Sequence, residues 1–234
     1  MANAFKSINQ RVFLFIIVLL LTVLLVFVPL LIDEHYMLAS VLFLILTFVP
    51  FMIRFERKKI SARGLVILAV LAAIAAVSRV PFAPLPSVQP TTFVIIIAGI
   101  VFGAESGFVV GALAAIVSNL FLGQGPWTPW QMYAWGMIGL VAGLLRNMWW
   151  MKSTSGRLIF GSLAGIIFGW IMNLWIVLGV LQTISWQEVL TIYTASFAFD
   201  LAHAISNVFF LLVFANSWIK ILTRFKRKYG ILTD

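Results

Sequence analysis

Long apolar segments constrain the fold of this chain more than any other feature of its sequence. Eight of them follow one another, and several reach the roughly 18 residues that a helix needs to cross a bilayer. With 63% hydrophobic and only 10% charged residues, the chain has more apolar surface than a soluble domain of 234 residues buries. The predicted fold class is all-α, a polytopic membrane helical bundle.

The segments have different lengths, and two of them are too short for an ordinary span. Residues 92–103 and 107–122 predict either two short helices extended by residues 88–91 or one re-entrant hairpin that turns at 104–106. The first segment is too long for a signal peptide and lacks a small-residue cleavage site, so a retained helix is expected. The eight segments are 12–32, 36–53, 65–80, 92–103, 107–122, 131–148, 158–181 and 189–215.

Lysine and arginine residues predict the orientation of these segments. If the first helix starts in the cytoplasm, fifteen of the sixteen basic residues fall on the cytoplasmic side and only Arg79 falls outside. Cytoplasmic loops of membrane proteins carry such an excess, so a multi-pass protein of the cell membrane with both termini in the cytoplasm is predicted. The net charge of +9 then reflects topology, and no nucleic-acid partner is expected.

The basic run at residues 54–63 divides the chain into two parts. Residues 1–63 are predicted to form an N-terminal helical hairpin with a basic cytoplasmic linker, which suits anionic lipid headgroups. Residues 64–234 are predicted to form a six-helix membrane core that holds the binding site.

Two loops on the predicted outer side have an unusual composition. Residues 81–90 contain four prolines, which make the loop stiff, and residues 123–131 alternate turn formers with aromatic and amide side chains. Rigid loops with flat aromatic faces and amides suit a pocket for a large, partly planar organic molecule. The tryptophans could instead belong to the interfacial aromatic belt. The candidate residues from these loops and the following helix are Gln89, Gln124, Trp127, Thr128, Trp130, Gln131 and Trp135.

Polar residues inside the apolar segments are further candidates. Asp200, His203 and Asn207 fall on one stripe of the last helix, with Ser196 one turn earlier. Ionisable groups within a membrane turn toward a bundle interior or a wet cavity. They could line the floor of the pocket or connect helices by hydrogen bonds. Further candidates of this kind are Asn119 and Asn173, and Arg79, which could snorkel to the interface or bind an anionic group.

Small residues make one surface of the segment 65–80 smooth. Ala69 and Ala73, and Ala72 and Ala76, are four residues apart, a spacing that lets helices approach closely. This surface could pack within the chain or dock another subunit.

Several kinds of chemistry are not expected. The chain has no cysteine and no phosphate-binding loop motif, and its two histidines, His35 and His203, fall on opposite sides of the predicted topology. Neither a metal nor a cofactor is expected, and the chain is not expected to be an enzyme. The alternative is a membrane-embedded enzyme with Asp200 and His203 as an acid–base pair. The sequence has no recognisable nucleophile at helical spacing from these two residues.

Residues 64–228 resemble the substrate-binding (S) components of energy-coupling factor (ECF) vitamin transporters. The resemblance rests on residues 119–131, on the glycine-rich stretches 99–111 and 134–143, and on the paired alanines. Within the family, the run Gly125-Pro-Trp-Thr-Pro-Trp-Gln131 is most similar to the cobalamin-specific branch. The family has six helices, so the hairpin within residues 12–53 is an addition.

The resemblance implies a division of labour among subunits. Such a component captures its vitamin outside, docks onto a membrane scaffold subunit with two cytoplasmic ATPases, and topples in the bilayer to release the vitamin inward. It implies cobalamin as the substrate and the four alanines as the docking surface. Alternative substrates are a thiamine precursor, pantothenate or a modified nucleobase, each of which would suit a compact site built from Asn119, Asn173 and Asp200.

Overall fold

The fold is helical throughout the part of the chain that the structure describes. This computed structural model describes residues 61–179 and 185–232. The hairpin predicted within residues 12–53, its basic linker up to residue 60 and His35 lie outside the described residues. The helices are α1 Ala62–Val77, α2 Thr91–Phe102, α3 Ala104–Leu122, α4 Thr128–Leu145, the single turn α5 Trp149–Lys152, α6 Thr154–Gly179 and α7 Trp186–Tyr229, with a 3-10 turn at Val80–Phe82.

Four of the described helical stretches are long and apolar enough to cross a membrane. These are Ala62–Phe82, Ala104–Leu122, Thr154–Leu178 and Trp186–Tyr229, whereas Thr91–Phe102 is apolar but shorter. The predicted all-α membrane helical bundle is therefore confirmed. The two short segments are separate helices, joined at Gly103, whose φ of 102° is readily adopted only by glycine.

Helix α2 is the centre of the bundle. Every residue of α2 except Ile100 is buried, and the helix packs against α1, α3, α4, α6 and α7. Its twelve residues span only about 18 Å, and all the helices that pack against it are longer. A helix that is apolar on all sides is stable in this position because all of its faces meet protein.

Glycines bring α2, α3 and α4 into backbone contact. A Cβ atom on Gly107 or Gly139 would overlap the backbone of the other helix, and one on Gly99 would overlap the carbonyl of Gly139. Gly143 meets Ala104 in the same way. Helices in lipid gain stability from such close packing because small residues remove the side chains that would separate them.

A second set of glycines joins α6 to α7. Gly161, Gly165 and Gly169 recur every four residues on α6, and added Cβ atoms there would meet Leu211, the backbone of Ala204 and the carboxylate of Asp200. The bundle thus contains two tightly packed groups of helices, α2–α4 and α6–α7. We call the contact between them the seam.

The described basic residues other than Arg79 lie at one end of the bundle, which we call the basic end. Lys226 on α7 donates to the carbonyl of Val101 at the end of α2, over 3.0 Å. Arg157 near the start of α6 donates to Asn216 of α7, over 2.6 Å. The opposite end carries Arg79 and the loops at residues 78–90 and 123–127, and we call it the loop end.

Helix α7 is longer than the apolar run at 189–215. It begins with a capping box, in which Ser185 and Glu188 bond each other's backbone, and ends at Gly230 in the left-handed conformation. After Ala215 the helix continues as an amphipathic segment, with Leu222 buried and most of the basic residues exposed. Hydropathy alone therefore finds only the central part of α7.

We predict that Gly139→Val disrupts the α2–α4 group. The new side chain would overlap the backbone of Gly107, so the free energy of unfolding should fall by about 3 kcal/mol, or folding should fail. Melting in detergent and the yield of monodisperse protein measure the effect. Ala198→Val is the control, since Ala198 is exposed on α7; equal losses for both variants would contradict the packing argument.

Candidate functional site

Arg79 lies at the loop end with its guanidinium inside the bundle. Its Nε donates to Gln89 Oε1 over 2.9 Å, and its Nη1 donates to Ser118 Oγ and to Asn119 Oδ1, the latter over 3.0 Å. The guanidinium carbon lies 5.0 Å from the centre of the Trp135 ring, as in a cation–π contact. These hydrogen-bond acceptors are all neutral, so within residues 61–179 and 185–232 no carboxylate compensates the positive charge of Arg79.

Asn119 connects Arg79 to the loop at residues 123–127. It is 2% exposed, and its Nδ2 donates to Thr128 Oγ1 over 3.1 Å and to Gln131 Oε1 over 2.8 Å. Thr128 in turn donates to Gln124 Oε1 over 3.0 Å. The amide of Asn119 therefore uses both donors and its oxygen to hold α3, the loop and the start of α4 together.

A buried network crosses the seam below Arg79. Trp135 Nε1 donates to Thr92 Oγ1 over 3.0 Å, and the same hydroxyl lies 2.8 Å from His203 Nε2. Phe168 stacks on Trp135 at 4.9 Å and meets the His203 ring edge-on at 4.8 Å. His203 thus contacts α2 and α6, and this network connects the two groups of helices.

The polar stripe of α7 forms a second group of hydrogen bonds. Asn173 Nδ2 donates to Ser196 Oγ over 2.6 Å, and Ser196 lies 3.4 Å from the carboxylate of Asp200. Asn207 donates to the carbonyl of Gly161 over 3.0 Å. Asp200 fits beside α6 because Gly169 has no side chain. These residues lie on the α6–α7 side of the seam.

The loop at residues 81–90 is attached to α7 through Gln89. Its backbone N–H donates to Ser206 Oγ over 3.0 Å, and the hydroxyl donates back to the Gln89 carbonyl over 3.2 Å. With its side chain bonded to Arg79, Gln89 links α7 to the α3–α4 side. If the Arg79 side chain moved, its hydrogen bond to Gln89 would break and the bonds between Gln89 and Ser206 would be affected.

The aromatic candidates occupy different depths. Trp127 is half-buried and lies 5.9 Å from Trp175 of α6, ring centre to ring centre, at the loop end of the seam. Trp135 is fully buried in the seam, and Trp130 is 2% exposed within the core. Gln124 is exposed, and its amide donates to the Ile116 carbonyl over 3.0 Å.

The residues of these networks that are absent from the sequence-based candidates include Thr92, Phe168 and Ser206. Ser206 falls three residues after His203 and so continues the polar stripe, a signal that the spacing offered. Thr92 and Phe168 give no such signal, because threonine at a helix start and phenylalanine in an apolar helix are both common.

The alanines of α1 divide between two environments. Ala69 and Ala73 are exposed, whereas Ala72 is 3% and Ala76 0% exposed. The buried pair packs within this chain, close to where Thr91 donates to the carbonyl of Ala75 over 2.9 Å. The smooth outer surface of α1 therefore consists of Ala69 and Ala73 and is flanked by exposed valines.

This architecture is that of a membrane-embedded component with a polar site between its helices, and sequence comparison identifies the class. The model of the family "ECF transporter, substrate-specific component" matches residues 63–228. Because the match covers most of the chain, the protein belongs to this family. It is a family of transporter components that work in the membrane with an ECF scaffold and ATPases, and not a family of enzymes.

Curated relatives include UPF0397 proteins of Vibrio and Aliivibrio. The UPF0397 protein of Vibrio atlanticus (strain LGP32) is 30% identical over 108 residues, which cover 44% of this chain and 56% of the relative. The UPF0397 protein of Aliivibrio fischeri (strain MJ11) is 27% identical over 124 residues, 47% of this chain and 67% of the relative. The match to the Vibrio protein thus spans little more than half of its length. No solved structure matches the chain.

We predict that Thr92→Val weakens the seam. Valine keeps the shape of threonine but leaves Trp135 Nε1 and His203 Nε2 without their shared partner, so the free energy of unfolding should fall by about 1–3 kcal/mol. Denaturation by SDS or heat in detergent measures this change. Thr194→Val, at an exposed site of α7, should have little effect, and Thr92→Ser should restore stability. A wild-type melting curve for Thr92→Val would contradict the role of this hydroxyl.

Proposed function

We propose that this chain is the vitamin-capturing subunit of an ECF importer and that its substrate is cobalamin. The vitamin binds at the loop end, between the loop at residues 81–90 and the loop at residues 123–131. It is delivered inward when the chain is docked on a scaffold subunit with two cytoplasmic ATPases. The observation that carries the proposal is the Arg79 guanidinium, which lies over Trp135 at the mouth of the seam and bonds only neutral acceptors among the described residues.

A broad ligand fits this site better than a small one. Asn119 bonds with Arg79, Thr128 and Gln131, whereas Asn173 bonds with Ser196. The polar residues thus form two hydrogen-bonded groups, one on each side of the seam, and not one compact cluster. A ligand that contacts both groups has to extend across the Trp127–Trp175 pair, which favours a corrinoid over a thiamine precursor, pantothenate or a nucleobase.

The chemistry of cobalamin matches the groups available. Its phosphodiester carries one negative charge, which a guanidinium binds well because charge-assisted hydrogen bonds are short and strong. Its peripheral amides can exchange hydrogen bonds with Gln89, Gln124 and Gln131. The planar ring system and the benzimidazole can pack against tryptophan faces.

The remaining expectations complete the proposal. The basic end faces the cytoplasm, both termini lie there, and residues 1–63 form a hairpin that is separate from the binding core at 64–234. The exposed surface of α1 around Ala69 and Ala73 docks the scaffold subunit. Asp200 and His203 support the site from its floor.

A ligand panel tests the substrate directly. Purified protein without ATP should bind cyanocobalamin with a dissociation constant in the nanomolar to micromolar range, about −12 to −8 kcal/mol. Riboflavin, thiamine, pantothenate and a nucleobase serve as competitors in isothermal titration. Binding of one of these with no binding of any corrinoid would reject cobalamin and keep the transporter class.

Removing the aromatic surface at the mouth should weaken this binding. We predict that Trp127→Ala lowers affinity for cobalamin about tenfold, because the Trp127–Trp175 pair loses one face. Trp149→Ala is the matched control, since Trp149 is 81% exposed at the opposite end of the bundle. Equal affinities for the two variants would place the ligand elsewhere.

Docking should depend on the exposed residues Ala69 and Ala73 and not on the buried residues Ala72 and Ala76. We predict that Ala73→Leu abolishes cobalamin uptake in cells that carry the energising subunits, while binding by the purified chain changes less than about twofold, since the added bulk separates α1 from its partner helix. Ala198→Leu, exposed on α7, should leave uptake intact. Normal uptake by Ala73→Leu would argue against docking through this surface.

A further inference from the structure

A cavity lies at the basic end, at the opposite end of the bundle from the proposed vitamin site. It has a volume of about 320 Å³ and lies between the end of α2, the end of α4 and the last turns of α7. It opens at the surface of the protein, and none of the candidate vitamin-binding residues lines it. The proposed vitamin site therefore does not account for it.

The lining of this cavity is suited to an anion. Arg146, Lys226 and Arg227 contribute three cationic side chains from two helix ends, and the described residues that line the cavity include no aspartate or glutamate. Asn147 and Thr223 add an amide and a hydroxyl that can donate hydrogen bonds. Lys226 also donates to the Val101 carbonyl, which fixes its ammonium at the cavity wall.

The same cavity has an apolar side. Ile100, Val101 and Ile219 line it beside the cations, so a bound molecule meets both charge and hydrocarbon. Trp149, two residues after Asn147 in the chain, is 81% exposed, and Phe225, directly before Lys226, is 46% exposed. Exposed tryptophans near basic residues mark the level at which a membrane protein meets lipid headgroups. A free phosphate ion would use the cations but not the isoleucines.

We propose that this cavity binds the headgroup of an anionic phospholipid such as phosphatidylglycerol. The phosphate lies among Arg146, Lys226 and Arg227, the glycerol hydroxyls reach Asn147 and Thr223, and the upper acyl chain follows Ile100 and Ile219. Basic pockets between helices at the cytoplasmic surface bind lipid headgroups in this way. The bound lipid would connect α2, α4 and α7 at the basic end.

The full chain in nanodiscs or detergent tests the proposal. Native mass spectrometry should show retention of dioleoyl phosphatidylglycerol over dioleoyl phosphatidylcholine, and added phosphatidylglycerol should raise the melting temperature. Arg227→Gln should weaken retention about fivefold, as expected for one cation at a lipid surface. Thr223→Glu, which places a negative charge in the cavity, should remove the preference.

The control is Arg224→Gln on the same helix, one turn away and outside the cavity lining. It loses the same charge but should keep the lipid preference within about twofold of the wild type. Equal losses for Arg224→Gln and Arg227→Gln would reduce the effect to general surface charge and overturn the proposal. So would equal retention of the two lipids, or stabilisation by soluble glycerol 3-phosphate as large as that by phosphatidylglycerol.

The test also distinguishes a lipid from a partner protein as the occupant of the cavity. If Arg227→Gln blocked co-purification with the scaffold subunit but left lipid retention unchanged, the cavity would bind an acidic segment of that subunit and the lipid proposal would fall. Cyanocobalamin binding is measured in parallel. The cavity and the loop end share no residue. If the wild-type protein did not bind cyanocobalamin, the proposed substrate would therefore be rejected without any effect on the lipid result.

Discussion

Backbone contact between helices at glycine is the constraint on which the rest of this structure depends. Gly99, Gly107 and Gly139 allow α2, α3 and α4 to touch without intervening side chains, and glycines spaced by four residues do the same for α6 and α7. Each group is therefore rigid, since a packed core cannot deform continuously. The seam between them contains no such glycine contact and is filled by rings and hydrogen bonds instead. Polar and aromatic side chains can fill the seam because the glycine contacts stabilise the helix group on each side of it.

The buried polar residues fall into those that support the site and those that a ligand can use. Asn119 has both amide protons and its oxygen committed, and the hydroxyl of Thr92 serves two neighbours, so replacing either partner would cost a buried hydrogen bond. Arg79 differs because it is a full charge whose hydrogen-bond acceptors among the described residues are all neutral. A negatively charged ligand group would form stronger hydrogen bonds with Arg79 than the neutral side chains of Gln89 and Asn119 form with it. Exchange of these partners would free Gln89 and alter the contact between its loop and Ser206.

The sequence predicts the helices of residues 61–232 closely, because membrane helices leave a strong apolar signal and α1, α4 and α6 each lie within a few residues of their predicted segments. It predicts less well how side chains are shared between helices. The small residues on α1 repeat uniformly in the sequence, yet the fold buries Ala72 and Ala76 and exposes Ala69 and Ala73, because α2 and α3 pack against one side of α1. The tail of α7 gave no apolar signal since its stability comes from amphipathic packing and capping. Cross-helix pairs such as Trp135 with Thr92 depend on rotation of both helices, which local spacing does not encode.

Helix α7 physically connects the two ends of the molecule. At 44 residues it is about 66 Å long, whereas a bilayer with its headgroups is about 40–45 Å thick. The helix must therefore tilt, project from the membrane, or do both. Its central part contacts Thr92 and Gln89 through His203 and Ser206, and its last turns line the basic cavity. Because one continuous helix touches both places, a rigid-body tilt of α7 would move Thr223 and Arg227 relative to α2 and α4 together with His203 and Ser206. If the proposed ligand at the loop end changed this tilt, the shape of the basic cavity would change with it.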